Sequence, residues 1–201
     1  MRVIAGIYRS RILKSLKGLA LRPTSDHLRE TLFNVLGGGI SGSRFLDVFA
    51  GTGAVGIEAL SRGAAHAAFI ENHPPAATLI RKNLASLKIA SAATVICADA
   101  LRALESAAAR VNASAAPYDY IFIDPPYAAT ADYSRAMQFV ASSALLAPDG
   151  IVIVEHRKSF TLPESFEPLK RVRLLRQGDA ALSFYRRPTP VQNQSTRVEN
   201  P

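Results

Sequence analysis

Asp124-Pro125-Pro126-Tyr127 directly follows the apolar run Tyr120-Ile121-Phe122-Ile123, and its residue types suit a site that holds a planar amine. Two consecutive prolines remove two N–H donors and stiffen the backbone, so the nearby carbonyls and the Asp124 carboxylate make a fixed row of acceptors. Tyr127 adds a ring on which a base could stack. The set fits a flat substrate with an NH2 group, whose two hydrogens meet the acceptors while the ring lies on the tyrosine. A rigid turn with a coincidental aromatic is the simpler alternative, and the glycine loop upstream argues against it.

That loop is Phe49-Ala50-Gly51-Thr52-Gly53, entered from Phe45-Leu46-Asp47-Val48 and followed by a helical pattern from Ala54. Glycines at 51 and 53 allow a tight turn and a close approach of backbone to ligand, and the helix N-terminus beyond offers N–H groups to an anion. Read literally, Gly51-x-Gly53-x-x-Gly56 is also a dinucleotide fingerprint, so an NAD-dependent oxidoreductase is one reading. Asp47 tilts the choice away from it, because a carboxylate before the loop can accept loop amides or, through water, meet an ammonium-bearing ligand. NAD has no ammonium, whereas S-adenosylmethionine does. Glu71, eighteen residues after Gly53, could grip both hydroxyls of a ribose in either cofactor. Asp99 follows a third apolar run, within reach of an adenine amino group. No acid/base pair suited to hydride transfer accompanies the loop, and NAD would leave Asp124–Tyr127 without a use.

These residues need a sheet edge to bring them together. From Arg44 to Glu155, short apolar runs alternate with helix-like stretches, the pattern of βα units in a parallel sheet. Strands are expected at 44–48, 67–71, 94–98, 118–123 and 150–155, and helices at 54–62, 74–87, 100–110 and 131–145. Ala147-Pro148-Asp149-Gly150 reads as a turn before the fifth strand. Two further runs, 171–176 and 180–186, are joined only by Gln177-Gly178-Asp179, which demands antiparallel pairing. Upstream, 2–7 and 12–16 are expected to form a small hairpin, and 26–36 a helix with Leu28, Leu32, Val35 and Leu36 on one face. Residues 1–187 read as one domain, with an arm at 1–40 on a core at 41–187, and 188–201 as a disordered tail.

Composition narrows the class. With 201 residues and 48% hydrophobic content the chain can bury a core without disulfides. Cys97 stands alone and the four histidines are scattered, so neither a disulfide framework nor zinc spacing is present; the expected protein is intracellular and metal-free. No apolar stretch reaches 18 residues, which speaks against a membrane span. An Arg-rich start also suits a transit peptide. The net charge of +8 is uneven: +6 over residues 1–29, −3 over 30–155 and +5 over 156–187. Eighteen of the 24 basic residues are arginine, the side chain suited to phosphate and to stacking on bases. A polyanion partner and a merely solvated surface are both open on charge alone.

The segments Asp47–Gly53 and Asp124–Tyr127 resemble class I S-adenosylmethionine-dependent methyltransferases that modify exocyclic amino groups of bases. More narrowly, Gly6-Ile7-Tyr8-Arg9-Ser10-Arg11, Arg22–Asn34 and Gly56–Ala64 resemble the RsmD family, which methylates guanine N2 in bacterial 16S ribosomal RNA. The resemblance runs from about Arg2 to Arg187, which removes the reason to read the start as a transit peptide. It departs at Ser10, often Gly in the family, and at Tyr127, Phe in some members.

The resemblance implies a Rossmann-like α/β fold: a mostly parallel seven-stranded sheet with an antiparallel edge hairpin, helices on both faces and an N-terminal hairpin and helix. It implies that Gly51, Thr52 and Gly53 line the methionine part of S-adenosylmethionine, with Asp47, Phe49 and Ala50 also among the cofactor-binding residues. Glu71 and Asn72 would meet the ribose, and Asp99 and Ala100 the adenine. Thr24 and Glu30 on the arm would come near the methionine end. The partner would be 16S rRNA or the assembling small ribosomal subunit in the cytoplasm, met by a monomer. Arg9, Arg11, Arg22, Arg29 and Arg157 would hold phosphates around the mouth. DNA adenine-N6 methyltransferases share the Asp-Pro-Pro-Tyr chemistry, but no extra target-recognition domain is visible in this chain.

Overall fold

The computed structural model describes residues 1–15 and 24–188. The expected tail, apart from Pro188, and Arg22 lie outside the described residues. The helices are α1 (Asp26–Leu36), α2 (Ala54–Ser61), α3 (Pro74–Ser86), α4 (Ala100–Ala113) and α5 (Thr130–Ser142). The strands are β1 (Arg44–Val48), β2 (His66–Glu71), β3 (Ala93–Cys97), β4 (Tyr118–Ile123), β5 (Leu146–Arg157), β6 (Ser165–Phe166), β7 (Leu169–Gln177) and β8 (Ala180–Arg186). They form one sheet in the order β3-β2-β1-β4-β5-β8-β7-β6. The first five pair in parallel, and β8, β7 and β6 are added antiparallel.

The central strands are mostly apolar because both faces are covered, as parallel sheets require, with Asp47 the buried acid within β1. Successive side chains alternate between two cores. Phe45, Phe69, Phe122 and Ile153 pack with Leu32, Phe33, Ile57, Ile80 and Leu84 from α1, α2 and α3. Leu46, Ile70, Ile123 and Val154 pack with Leu104, Ala107, Met137 and Val140 from α4 and α5. None of the described helices is long and apolar enough to cross a membrane.

Three expectations need correction. The sheet has eight strands rather than seven, because Ser165–Phe166 pairs with Leu169 and Lys170; two residues are too few to show a periodicity in sequence. The Ala147–Gly150 turn lies inside β5: Tyr118 pairs with Leu146 and Tyr120 with Ile151, so the intervening residues bulge out of the ladder. The N-terminal hairpin reduces to one antiparallel bridge, Arg2 with Ile12, flanked by Val3 N–H to Arg11 O at 3.0 Å and Leu13 N–H to Met1 O at 3.0 Å. Its turn places Ser10 at φ 67°, a conformation glycine adopts more easily.

The hairpin is short because α2 takes the backbone groups that a partner strand would use. The Glu58 carboxylate accepts Ile4 N–H at 2.8 Å and Ala5 N–H at 3.0 Å. Ser61 accepts Tyr8 N–H on its hydroxyl and donates that hydroxyl to Ala5 O. Gly6, at φ +82°, presses so close that a Cβ would stand 1.8 Å from Ser61 O. Farther on, Asn83 of α3 accepts Lys14 N–H and donates to Lys14 O.

Arg29 belongs to this anchor and not to an RNA-facing surface. Its side chain is fully buried, donates to Arg2 O at 2.7 Å and to Asp26 at 3.0 Å, and has its Nε 3.9 Å from Glu58. The same Glu58 pairs with Arg62 at 2.8 Å. Burial lowers the affinity of Arg29 for its proton, and the charges of Glu58 and Asp26 act to keep it.

Glu58→Ala therefore strips two amides and the Arg62 guanidinium of their acceptor, removes the ion pair to Arg29 and leaves Arg29 buried beside one remaining acid. The expected loss is about 3–5 kcal/mol in urea unfolding. A loss below about 1 kcal/mol would show that Glu58 does not anchor the segment.

Candidate active site

A cavity of about 630 Å³ lies over the C-terminal ends of β3, β2, β1, β4 and β5, where open parallel sheets bind ligands. The chain reverses its direction of travel at β1, which has β2 on one side and β4 on the other. Parallel register makes the residue after each strand a neighbour of the next, at about 4.8 Å per strand. Asp99, Glu71, the Phe49–Thr52 loop, Asp124 and Glu155 all line this one cavity.

The loop is held by acids. Phe49, Gly51 and Gly53 have φ values of 67°, 53° and 76°. A Cβ on Gly53 would lie 3.0 Å from Ile80, whereas one on Gly51 would meet nothing within 4 Å, leaving a cradle open to a ligand. Glu71 accepts Gly51 N–H at 2.7 Å on one oxygen and His73 N–H at 2.8 Å on the other. Asp47 accepts Gly56 N–H, in the first turn of α2, at 3.0 Å. The expectation that this loop and helix offer such amides to an anion is thus reversed at both sites. Asp99 is spent similarly, capping α4 through Leu101 and Arg102 N–H. A diphosphate would meet carboxylates here, while a cation and N–H or O–H donors would be welcome.

Asp47 is 2% exposed, and burial pushes its carboxyl up to about 7, against the Gly56 hydrogen bond and with the help of Glu71 and Glu155. Beyond the loop, Met1 sulfur stands 3.8 Å from the Thr52 hydroxyl, so the anchored N-terminal segment reaches the loop.

On the other half of the cavity, the row of acceptors expected from Asp124-Pro125-Pro126 is shorter than the sequence suggests. Pro126 O accepts Ala129 N–H at 2.7 Å and closes the turn into α5. Asp124 and Pro125 line the cavity, and the buried Tyr133 hydroxyl donates to Pro125 O at 3.4 Å. Burial beside Asp124 raises the Tyr133 phenol far above its usual range, so it stays a donor. Tyr127 is half-buried, and the Arg157 guanidinium sits 5.0 Å from its ring centroid.

Of the other residues expected at the site, Thr24, Phe49, Ala50, Asn72, Ala100 and Arg157 line the cavity. Glu30 does not; it is exposed on α1 and absent from the lining, because the buried face of α1 carries Leu28, Arg29, Leu32, Phe33 and Leu36. Arg9 and Arg11 are exposed on the N-terminal turn, apart from the cavity wall. Sequence reasoning missed Glu155, which accepts the Thr24 hydroxyl at 2.8 Å, and Asp132 and Arg135 on α5. The signal for Glu155 was its place at the end of an apolar run, the same position that singled out Glu71.

The raised carboxyl of Asp47 has a consequence for stability. Its folded value lies above its unfolded one, so its contribution is full below about pH 4 and is lost as pH rises through 7. Asp47→Asn should remove about 3 kcal/mol of the stability lost between pH 5 and pH 8 in the parent, measured by urea unfolding at each pH. Identical pH dependence in the two proteins would contradict a titrating Asp47.

The family model described as Conserved hypothetical protein 95 matches residues 1–186. Ribosomal RNA small subunit methyltransferase D of Haemophilus influenzae is 37% identical over 173 residues, covering 85% of this chain and 86% of that protein. The solved structure of Escherichia coli yhhF superposes with a TM-score of 0.79 at 34% identity, over 93% of this chain and 97% of that one. An RNA methyltransferase from Salinibacter ruber, solved with S-adenosyl-L-homocysteine, has the same fold at a TM-score of 0.60 and 13% identity, over 85% of this chain and 97% of that one. By family model, relatives and fold together, the chain belongs to the RsmD family of methyltransferases.

Proposed function

We propose that this methyltransferase moves the methyl group of S-adenosylmethionine to the exocyclic N2 of a guanine in 16S rRNA of the small ribosomal subunit. The observation that carries the reading is the division of one cavity: acids and a glycine cradle over β3, β2 and β1, and amine acceptors beside an aromatic ring over β4. When bound, the cofactor supplies an activated methyl group on a sulfonium. The open cradle at Gly51 and the acid-ringed loop fit that positively charged group. In this reading Glu71 and Asn72 would hold its ribose, Asp99 and Ala100 its adenine, and Thr24, Phe49, Ala50 and Thr52 its methionine end.

The acceptor base must leave its stack to reach this cavity, at a cost of a few kcal/mol. Tyr127, with Arg157 above it, gives the ring a surface. Guanine N2 is a weak nucleophile because its lone pair is delocalised into the ring. Asp124 and Pro125 O accept its two hydrogens, aim the lone pair at the methyl carbon and stabilise the positive charge that develops on nitrogen. As the N–C bond forms the S–C bond breaks, and the proton released from N2 leaves by Asp124 or solvent. Arg157 beside Tyr127 and the exposed Arg9 and Arg11 would meet phosphates in this reading. A DNA adenine-N6 reaction would use the same acceptors, so the labelled base decides between them.

Incubation with labelled S-adenosylmethionine and immature small-subunit particles should place label on guanine N2 of 16S rRNA. Asp124→Ala should lower the rate by about 10²–10³-fold while cofactor affinity stays within about threefold. Label on adenine, or full activity in the variant, would overturn the proposal.

A further inference from the structure

Acceptance of an exocyclic amine does not by itself choose a base, and stacking on Tyr127 is equally tolerant, since every base has a π-face. One more group stands where the ring of the target must lie. Ile123 of β4 pairs with Val154 of β5 in parallel register, so Asp124 and Glu155 occupy adjacent positions at the ends of neighbouring strands. Both line the cavity. Glu155 is 5% exposed, and the Thr24 hydroxyl donates to its Oε2 at 2.8 Å, so the carboxylate is pinned from the segment that leads into α1.

We infer that Glu155 reads the ring N1–H of the target base and makes the site select guanine; the inference rests on the guanine-N2 reading above. A carboxylate's two oxygens offer about four lone-pair directions, so one carboxylate can serve more than one donor. With N2 held at Asp124, the adjacent ring position of the base is turned toward β5. Guanine presents N1–H there and donates. Adenine and 2-aminopurine present a bare nitrogen lone pair, which a buried carboxylate repels. Selection thus comes from the cost of an unmatched polar contact, the kind of discrimination a hydrophobic slot cannot supply. Thr24 is a positioning residue for Glu155, and ties base choice to the seating of the segment before α1.

The test replaces the guanine mapped in the labelling experiment by 2-aminopurine, which keeps the N2 amine and loses N1–H, in 16S rRNA assembled into small-subunit particles. The parent enzyme should methylate the 2-aminopurine particle at least about 30-fold more slowly than the guanine particle. Glu155→Gln supplies an N–H donor of nearly the same shape, so it should be slow on guanine and faster on 2-aminopurine, reversing the preference, with KM for S-adenosylmethionine within about threefold of the parent. Should that variant fail to fold, Thr24→Val should lower the guanine to 2-aminopurine ratio by releasing the carboxylate. Equal losses on both particles, or an effect confined to the cofactor KM, would assign Glu155 a structural role and overturn the inference. If the parent labels no guanine in either particle, the guanine-N2 reading itself falls, and base selection by Glu155 falls with it.

Discussion

Two carboxylates holding the amides of their own glycine loop are the constraint on which the site depends. Glu71 takes Gly51 and His73 N–H, and Asp47 takes Gly56 N–H, so the positive end of α2 and the turn before it are neutralised from within the protein. The usual consequence of a glycine loop at a helix start is an anion site. Here the same backbone geometry makes a cavity that is acidic along its floor and suited to a cation. That difference separates this loop from the dinucleotide fingerprint it matches letter for letter.

The parallel sheet turns this local chemistry into a reaction site. Because β3, β2, β1, β4 and β5 run in one direction and in register, the polar residue after each strand is delivered to one edge at regular spacing. The acids at the ends of β2 and β3 and the Asp124–Pro125 pair after β4 line one cavity and differ in the strand end at which they stand. The bulky aliphatic and aromatic residues within those strands fill two separate cores and keep the edge rigid.

The N-terminal segment is tied to this frame by polar contacts. Glu58, buried in α2, is shared by the backbone of Ile4 and Ala5 and by the guanidinium groups of Arg29 and Arg62. Removing Glu58 takes a partner from all four at once, so the cluster depends on this one acid. Through it, Met1 arrives beside Thr52; just before α1, Thr24 reaches Glu155. Among the described residues of the arm, Thr24 lines the cavity.

Much of this was legible in the residues themselves. Alternation of apolar runs with helical stretches located β1, β4, β8 and α1 to the residue and the remaining βα units within a few, because burial on both faces writes itself into composition. The loop at 49–53, Glu71, Asp99 and Asp124–Tyr127 could be recognised since strand ends in such a sheet are where ligands bind. What the sequence could not contain was the use of each charge. Arg29 looks like any other arginine of a basic arm until the rotation of α1 turns it inward against Glu58. Glu30, one residue along, is turned outward by the same helix. Pro126 O and the amides of Gly51 and Gly56 count as available groups in a list of residues, and only the folded backbone shows them already bonded. Local pattern determines which elements form and where they end; partners distant in sequence, brought together by the sheet, determine which polar groups remain for chemistry.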